Sequence, residues 1–201
     1  SALAQAENPI LVVGDRVAQS GAVDEAVELA ELVGARVYAS SFSELNFPMT
    51  HPQFHGGAAV GFKDGREKMS NGDVVLAVGV LSTYGQLSSD PELLLIDLDP
   101  TFIHIDVDPS EVGKSQPTDV GIIADPKVAL RELTEALETG MSGSAREAAK
   151  GRAATLAAEK QVSRAAWKQV VESKWNTNPM SDERMTSELA AAVPDDTVIL
   201  G

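Results

Sequence analysis

Asn8-Pro9-Ile10-Leu11-Val12-Val13-Gly14-Asp15 is the stretch on which the fold class turns. Four consecutive apolar residues, led in by Asn-Pro and closed by Gly-Asp, fit a strand that is buried on both faces. Across residues 21–33, Val23, Ala26, Val27, Ala30 and Val33 keep helical spacing, with Ser20 as the expected N-cap and Gly34 where a left-handed stop is wanted. Val37-Tyr38-Ala39 then opens a second strand. The first forty residues therefore spell β-α-β, with a connection long enough to join two parallel strands.

The pattern continues outward from there. Residues 40–61 show little periodicity but contain Pro48, Pro52, Gly56 and Gly57, which predicts an ordered loop rather than a helix or strand. Loops of that length tend to be functional. Residues 63–70 suit a short helix, and Asn71-Gly72 a turn into Asp73-Val74-Val75-Leu76-Ala77-Val78-Gly79, the third strand. Residues 102–109 and 121–125 read as strands four and five, the latter followed by a helix over 126–137 with Pro126 in its first turn. Short apolar strands alternating with helices predict an α/β fold, a doubly wound, Rossmann-like parallel sheet of five to six strands. Residues 138–144 read as a flexible linker, which ends the packed domain near residue 140. An alanine-rich helix follows over 145–175. On it Trp167, Val171 and Trp175 recur every four residues, a stripe that an isolated helix leaves uncovered. Ser181 caps a further helix, and residues 197–201 read as a strand that stops where the chain stops, which suggests truncation. The expected organisation is thus 1–140, 141–180 and 181–201.

Composition narrows the function classes. The chain has 201 residues and no cysteine, which excludes disulfides, thiolate metal sites and cysteine nucleophiles. Thirty acidic residues against sixteen basic ones give a net charge of -14, spread along the whole chain; such a surface repels nucleic acid and anionic lipid. No apolar run approaches a membrane span and the N-terminus carries no signal peptide, so a cytoplasmic location is expected.

Several residues are candidates for chemistry. The turn Gly14-Asp15-Arg16 stands where a dinucleotide domain carries its G-x-G-x-x-G, but that spacing is absent; Gly14 and Gly21 could equally serve tight turns. Ile96-Asp97-Leu98-Asp99-Pro100 is echoed by Ile105-Asp106-Val107-Asp108-Pro109. Two carboxylates two residues apart on a strand point to one side, and could hold ribose hydroxyls at the strand end; equally they could cap a helix starting at Ser110-Glu111-Val112. His51 and His55 lack a third ligand at metal spacing, and His104, inside strand four, reads as a hydrogen-bonded packing residue.

Taken in order, residues 9–14, Phe47-Pro-Met-Thr-His-Pro-Gln-Phe-His-Gly56, residues 73–79 and Ile103-His-Ile-Asp-Val-Asp-Pro-Ser-Glu-Val-Gly-Lys114 resemble the central domain of thiamine-diphosphate-dependent 2-oxo-acid enzymes, a family that includes acetolactate synthase, pyruvate oxidase and benzoylformate decarboxylase. The resemblance spans residues 7–138 and continues, since 185–201 looks like the opening of the family's third, diphosphate-binding domain. It implies thiamine diphosphate and magnesium in the full-length enzyme only, held by first and third domains that act as this domain's partners, commonly in a homo-oligomer. No Gly-Asp-Gly metal motif occurs here, so no catalytic residue and no metal ligand carries over. In the flavin-binding branches a nucleotide, FAD or ADP, would lie along Gly14, Asp15, Gly79, Asp106 and Asp108. Two departures oppose that: Gly14-Asp15-Arg16 replaces the glycine-rich loop, and Gly79-Val80-Leu81 replaces the expected Gly-x-Arg. The Phe47–Gly56 stretch looks closer to the benzoylformate decarboxylase branch, whose central domain is structural. The expectation is a structural central domain of a decarboxylase or carboligase, not catalytic in isolation. Its alternatives are an independent nucleotide-binding module and a protein-interaction domain that uses the Trp167/Trp175 stripe.

Overall fold

The computed structural model describes residues 2–40, 46–58, 63–80, 99–114, 116–194 and 197. The elements run α1 (Ala2–Gln5), β1 (Pro9–Val13), α2 (Asp15–Gln19), α3 (Val23–Val33), β2 (Arg36–Ser40), β3 (Phe54–Ala58), α4 (Lys63–Ser70), β4 (Val74–Val78), β5 (Thr101–Asp106), β6 (Val120–Ile123), α5 (Pro126–Gly140), α6 (Gly143–Lys174) and α7 (Asp182–Ala192). The six strands form one sheet in the order β3-β2-β1-β4-β5-β6, and every pairing is parallel. The order reverses between β1 and β4, as the doubly wound reading requires.

β1 and β4 are buried along their whole length because both faces of the sheet are covered. On one face Leu11, Val13, Val37, Leu76, Val78 and Ile105 pack with Leu29 of α3 and Leu130 of α5. The alternate residues Ile10, Val12, Tyr38, Val75, Ala77 and Phe102 pack on the other face with Met69 of α4.

Four expectations are corrected. A strand, β3, lies inside the stretch read as a loop; it is an edge strand whose glycines hide any apolar run, and only Phe54 and Ala58 are buried. The connection after β1 is two helices rather than one. Gly21 turns the chain at φ 63, and the Ser20 hydroxyl donates back to the carbonyls of Arg16 and Val17, so Ser20 closes α2 instead of capping α3. The flexible linker shrinks to Met141 and Ser142: Met141 is buried, and the Ser142 hydroxyl accepts the Ala145 amide at 3.1 Å, starting α6 at once. No helix begins at Ser110; residues 109–113 form a turn.

The compact α/β unit consequently runs to Ala157. Gly34, left-handed at φ 64, sits against α6 so closely that a Cβ there would lie 2.3 Å from the Ala149 carbonyl, and Arg152 donates to the Val33 carbonyl at 2.7 Å. Residues 158–201 make a second unit. Within it Ser181 caps α7 by accepting the Arg184 amide at 3.2 Å, as expected, and the Arg184 guanidinium lies 5.0 Å from the Trp175 ring centre. The motif 96–98 and the final strand lie outside the described residues. No helix among those described is long and apolar enough to cross a membrane.

Candidate functional site

The carboxyl ends of β1, β4 and β5 bring Gly14, Asp15, Gly79, Asp106 and Asp108 to one edge of the sheet, at the point where strand order reverses. The loops there are stitched to one another. The Gly14 amide donates to the Val78 carbonyl at 2.9 Å, the Arg16 amide to the Gly79 carbonyl at 3.3 Å, and the Gly79 amide to the Ile105 carbonyl at 2.9 Å. A Cβ on Gly14 would lie 2.2 Å from the Gly79 carbonyl oxygen, so glycine is required there for backbone contact. All three amides are thus engaged within the protein.

Arg16 completes the arrangement. Its guanidinium pairs with the buried carboxylate of Asp106 through Nη1 and reaches Asp108 through Nη2 at 3.5 Å. To do so it passes from the end of β1 over the end of β4. Gly79 permits this: it has φ 61 and no side chain, and a Cβ there would lie 2.7 Å from Arg16 Cβ. The Asp108 amide donates to Asp106 Oδ1 at 2.8 Å, while Asp108 Oδ1 accepts the Ser110 hydroxyl at 2.7 Å and amide at 2.9 Å. Those Ser110 bonds, with Arg16 and Lys114 adding to them, hold the Asp108 carboxyl below its ordinary range. Asp108 thus caps the turn at Ser110 while Asp106 pairs with Arg16. Asp106 Oδ2 and His104 Nε2, two residues apart on the same strand face, are buried without hydrogen-bond partners. Burial keeps the His104 imidazole below its ordinary value, against the opposing pull of Asp106 and Glu111.

The histidines of the Phe47–Gly56 stretch are engaged elsewhere. His51 Nδ1 accepts the Gln53 amide at 3.2 Å and its Nε2 meets Glu31 at 3.2 Å, while Arg36 lies 3.0 Å from His55 Nδ1. Gln53, which the sequence reading passed over, is buried and donates its side-chain amide to the carbonyls of Ala30 at 2.7 Å and Ala35 at 2.8 Å, tying the end of α3 to β2. Phe47 stacks on Phe54 at 6.2 Å beneath it.

Comparison with known proteins follows that architecture. Residues 1–133 match the family described as "Thiamine pyrophosphate enzyme, central domain". The chain belongs to this family. Among curated relatives, a probable acetolactate synthase large subunit of Methanocaldococcus jannaschii is 32% identical over 142 residues, covering 67% of this chain and 22% of that protein. A sulfoacetaldehyde acetyltransferase of Castellaniella defragrans is 28% identical over a 220-residue alignment that covers 98% of this chain and 35% of that protein. Among solved structures, a thiamine diphosphate-dependent 4-hydroxybenzoylformate decarboxylase of Rhodococcus jostii RHA1 superposes with a TM-score of 0.59 at 28% identity, covering 67% of this chain and 25% of that one. This thiamine pyrophosphate enzyme central domain therefore spans between about a fifth and about a third of the relatives it matches.

What the sequence reading missed is Arg16. The signal was present as a cation directly after the first strand and two carboxylates directly after the fourth, but only strand order says that the two ends are one strand apart.

Proposed function

We propose that this chain is the structural central domain of a thiamine-diphosphate-dependent enzyme that decarboxylates or ligates a 2-oxo acid, and that its strand-end crevice is closed to nucleotides. The observation that carries this reading is the Arg16–Asp106 pair drawn across Gly79, together with the amides of Gly14, Arg16 and Gly79 all donating within the protein. A flavin or ADP phosphate does not fit a crevice whose backbone donors are taken and whose carboxylates already hold a guanidinium. Membership of a family named for the cofactor, and similarity to an acetolactate synthase and a decarboxylase, support the reaction class. The match that runs through 98% of the chain supports assigning residues 181–201 to the start of a further domain.

The cofactor would be held by other domains, where it supplies the electron sink for cleaving the bond beside the 2-oxo group. This chain contributes the compact α/β unit that those domains pack against.

The test has two arms. The purified chain is titrated with FAD and with ADP, following flavin fluorescence and melting temperature, since a ligand at 100 times its Kd stabilises by roughly 2.7 kcal/mol. A larger enzyme carrying this domain is assayed for carbon dioxide release from 2-oxo acids with thiamine diphosphate and magnesium, with and without FAD. No saturable nucleotide binding and flavin-independent turnover are expected. One-to-one FAD binding by the chain would overturn the closed crevice, and inactivity toward every 2-oxo acid would overturn the reaction class.

A further inference from the structure

α7 is a helix with no packed face. None of its residues is buried, and Met185 at 54% and Leu189 at 45% stand in solvent. At 11 residues it is also shorter than the roughly 12–15 residues at which isolated helices become even marginally stable in water. What holds it is polar, and lies at its junction with the end of α6.

There the free groups of two helix ends satisfy each other. The last carbonyls of α6 have no partners within the helix, and neither have the first amides of α7. The Ser181 hydroxyl serves both: it accepts the Arg184 amide at 3.2 Å and donates to the Lys174 carbonyl at 3.3 Å. Thr177 gives its amide at 3.2 Å and its hydroxyl at 2.9 Å to the same carbonyl. The next carbonyl, that of Trp175, accepts Arg184 Nη1 at 3.0 Å. The same guanidinium lies over the Trp175 ring, 5.0 Å from its centre, and donates through Nε to Glu188 at 2.7 Å. Lys174 pairs with Glu183 alongside. Exposed ion pairs count for little singly, but a planar guanidinium held by a carbonyl, a ring and a carboxylate together has one geometry that satisfies all three.

We infer that the α6–α7 junction is a preformed elbow locked by Arg184, so that the chain leaves α6 in one fixed direction with no apolar core to set it. The lock also covers one end of the Trp167, Val171 and Trp175 stripe: Trp175 is 37% exposed against 53% for Trp167. The elbow is a property of the junction itself, whatever residues 181–201 belong to. Its use is preorganisation, since a segment already oriented loses less freedom when another surface packs on it.

The chain has no cysteine, so Gln169→Cys and Ala190→Cys, both at exposed positions, put one spin label on each helix. Pulsed electron paramagnetic resonance on the labelled chain, diluted with unlabelled chain, should give one narrow distance distribution. Arg184→Ala keeps a strong helix former in α7 and removes all three guanidinium contacts, so the distribution should broaden. Backbone amide relaxation by NMR should report order parameters of about 0.85 over residues 182–192 in the unaltered chain and under about 0.6 in this variant. Arg184→Lys keeps the charge and the helix propensity without the planar fork, and should stay broad as well. A broad distribution in the unaltered chain would overturn the inference. So would either variant giving a distribution as narrow as its parent's.

Discussion

Replacing Arg16 by methionine strands the Asp106 carboxylate in the sheet edge. Asp106 is fully buried and its Oδ2 already lacks a partner, so after the substitution only the Asp108 amide remains to it, at 2.8 Å. Breaking a buried pair by removing one member typically costs about 3–5 kcal/mol. The Arg16 side chain is 16% exposed, so water screens part of the interaction and a cost at or just below the lower end of that range is expected, about 2–3 kcal/mol. For a unit of this size that corresponds to a fall in melting temperature of roughly 4–12 °C. The double variant Arg16→Met, Asp106→Leu removes the charge together with its partner and should recover most of the loss, because two apolar groups of similar shape are nearly neutral in such a place. Both tryptophans lie in residues 158–201 and report on the wrong unit, so urea unfolding should be followed by backbone circular dichroism and by amide exchange in β4 and β5. A cost under about 0.5 kcal/mol for the single variant, or costs that simply add in the double variant, would refute the reasoning.

Gly34→Ala must fit a Cβ 2.3 Å from the Ala149 carbonyl at a left-handed φ, so the first turns of α6 should detach from α3; amide exchange and limited proteolysis over residues 143–157 should both accelerate. Gln53→Leu leaves the carbonyls of Ala30 and Ala35 without their donor and should cost about 1–3 kcal/mol in urea unfolding, with Gln53→Glu no better because a carboxylate cannot donate. His104 has a native value below its ordinary 6.5, so the unfolded chain takes up a proton first: stability should fall as pH drops below about 6.5 and stop falling once the native ring is also protonated. His104→Gln should flatten that part of the stability profile, and an unchanged slope would exclude His104 as its source.

Where the chain agreed with its reading, the agreement has a single cause. A parallel strand covered on both faces must be apolar at every position, so Ile10–Val13 and Val74–Val78 announce themselves without knowledge of their neighbours. The same logic explains β3: an edge strand with Gly56 and Gly57 at its centre needs few apolar side chains, and what makes it a strand is pairing with β2. Ser20 could have capped a following helix; its hydroxyl went to the Arg16 and Val17 carbonyls because the short α2, absent from any apolar period, ends there.

The sequence by itself determined the alternation of buried strands and helices, the doubly wound parallel class, and the family to which the order of motifs pointed, since all of these rest on local patterns. Tertiary structure alone decided what the strand ends do. Arg16 and Asp106 are 90 residues apart, and neither carries any mark of the other. Their pairing depends on β4 lying between β1 and β5, and on Gly79 offering no side chain in the path of the guanidinium. Strand order is set by which buried faces pack together across the whole sheet, and that sum of distant contacts is written at no single place along the chain.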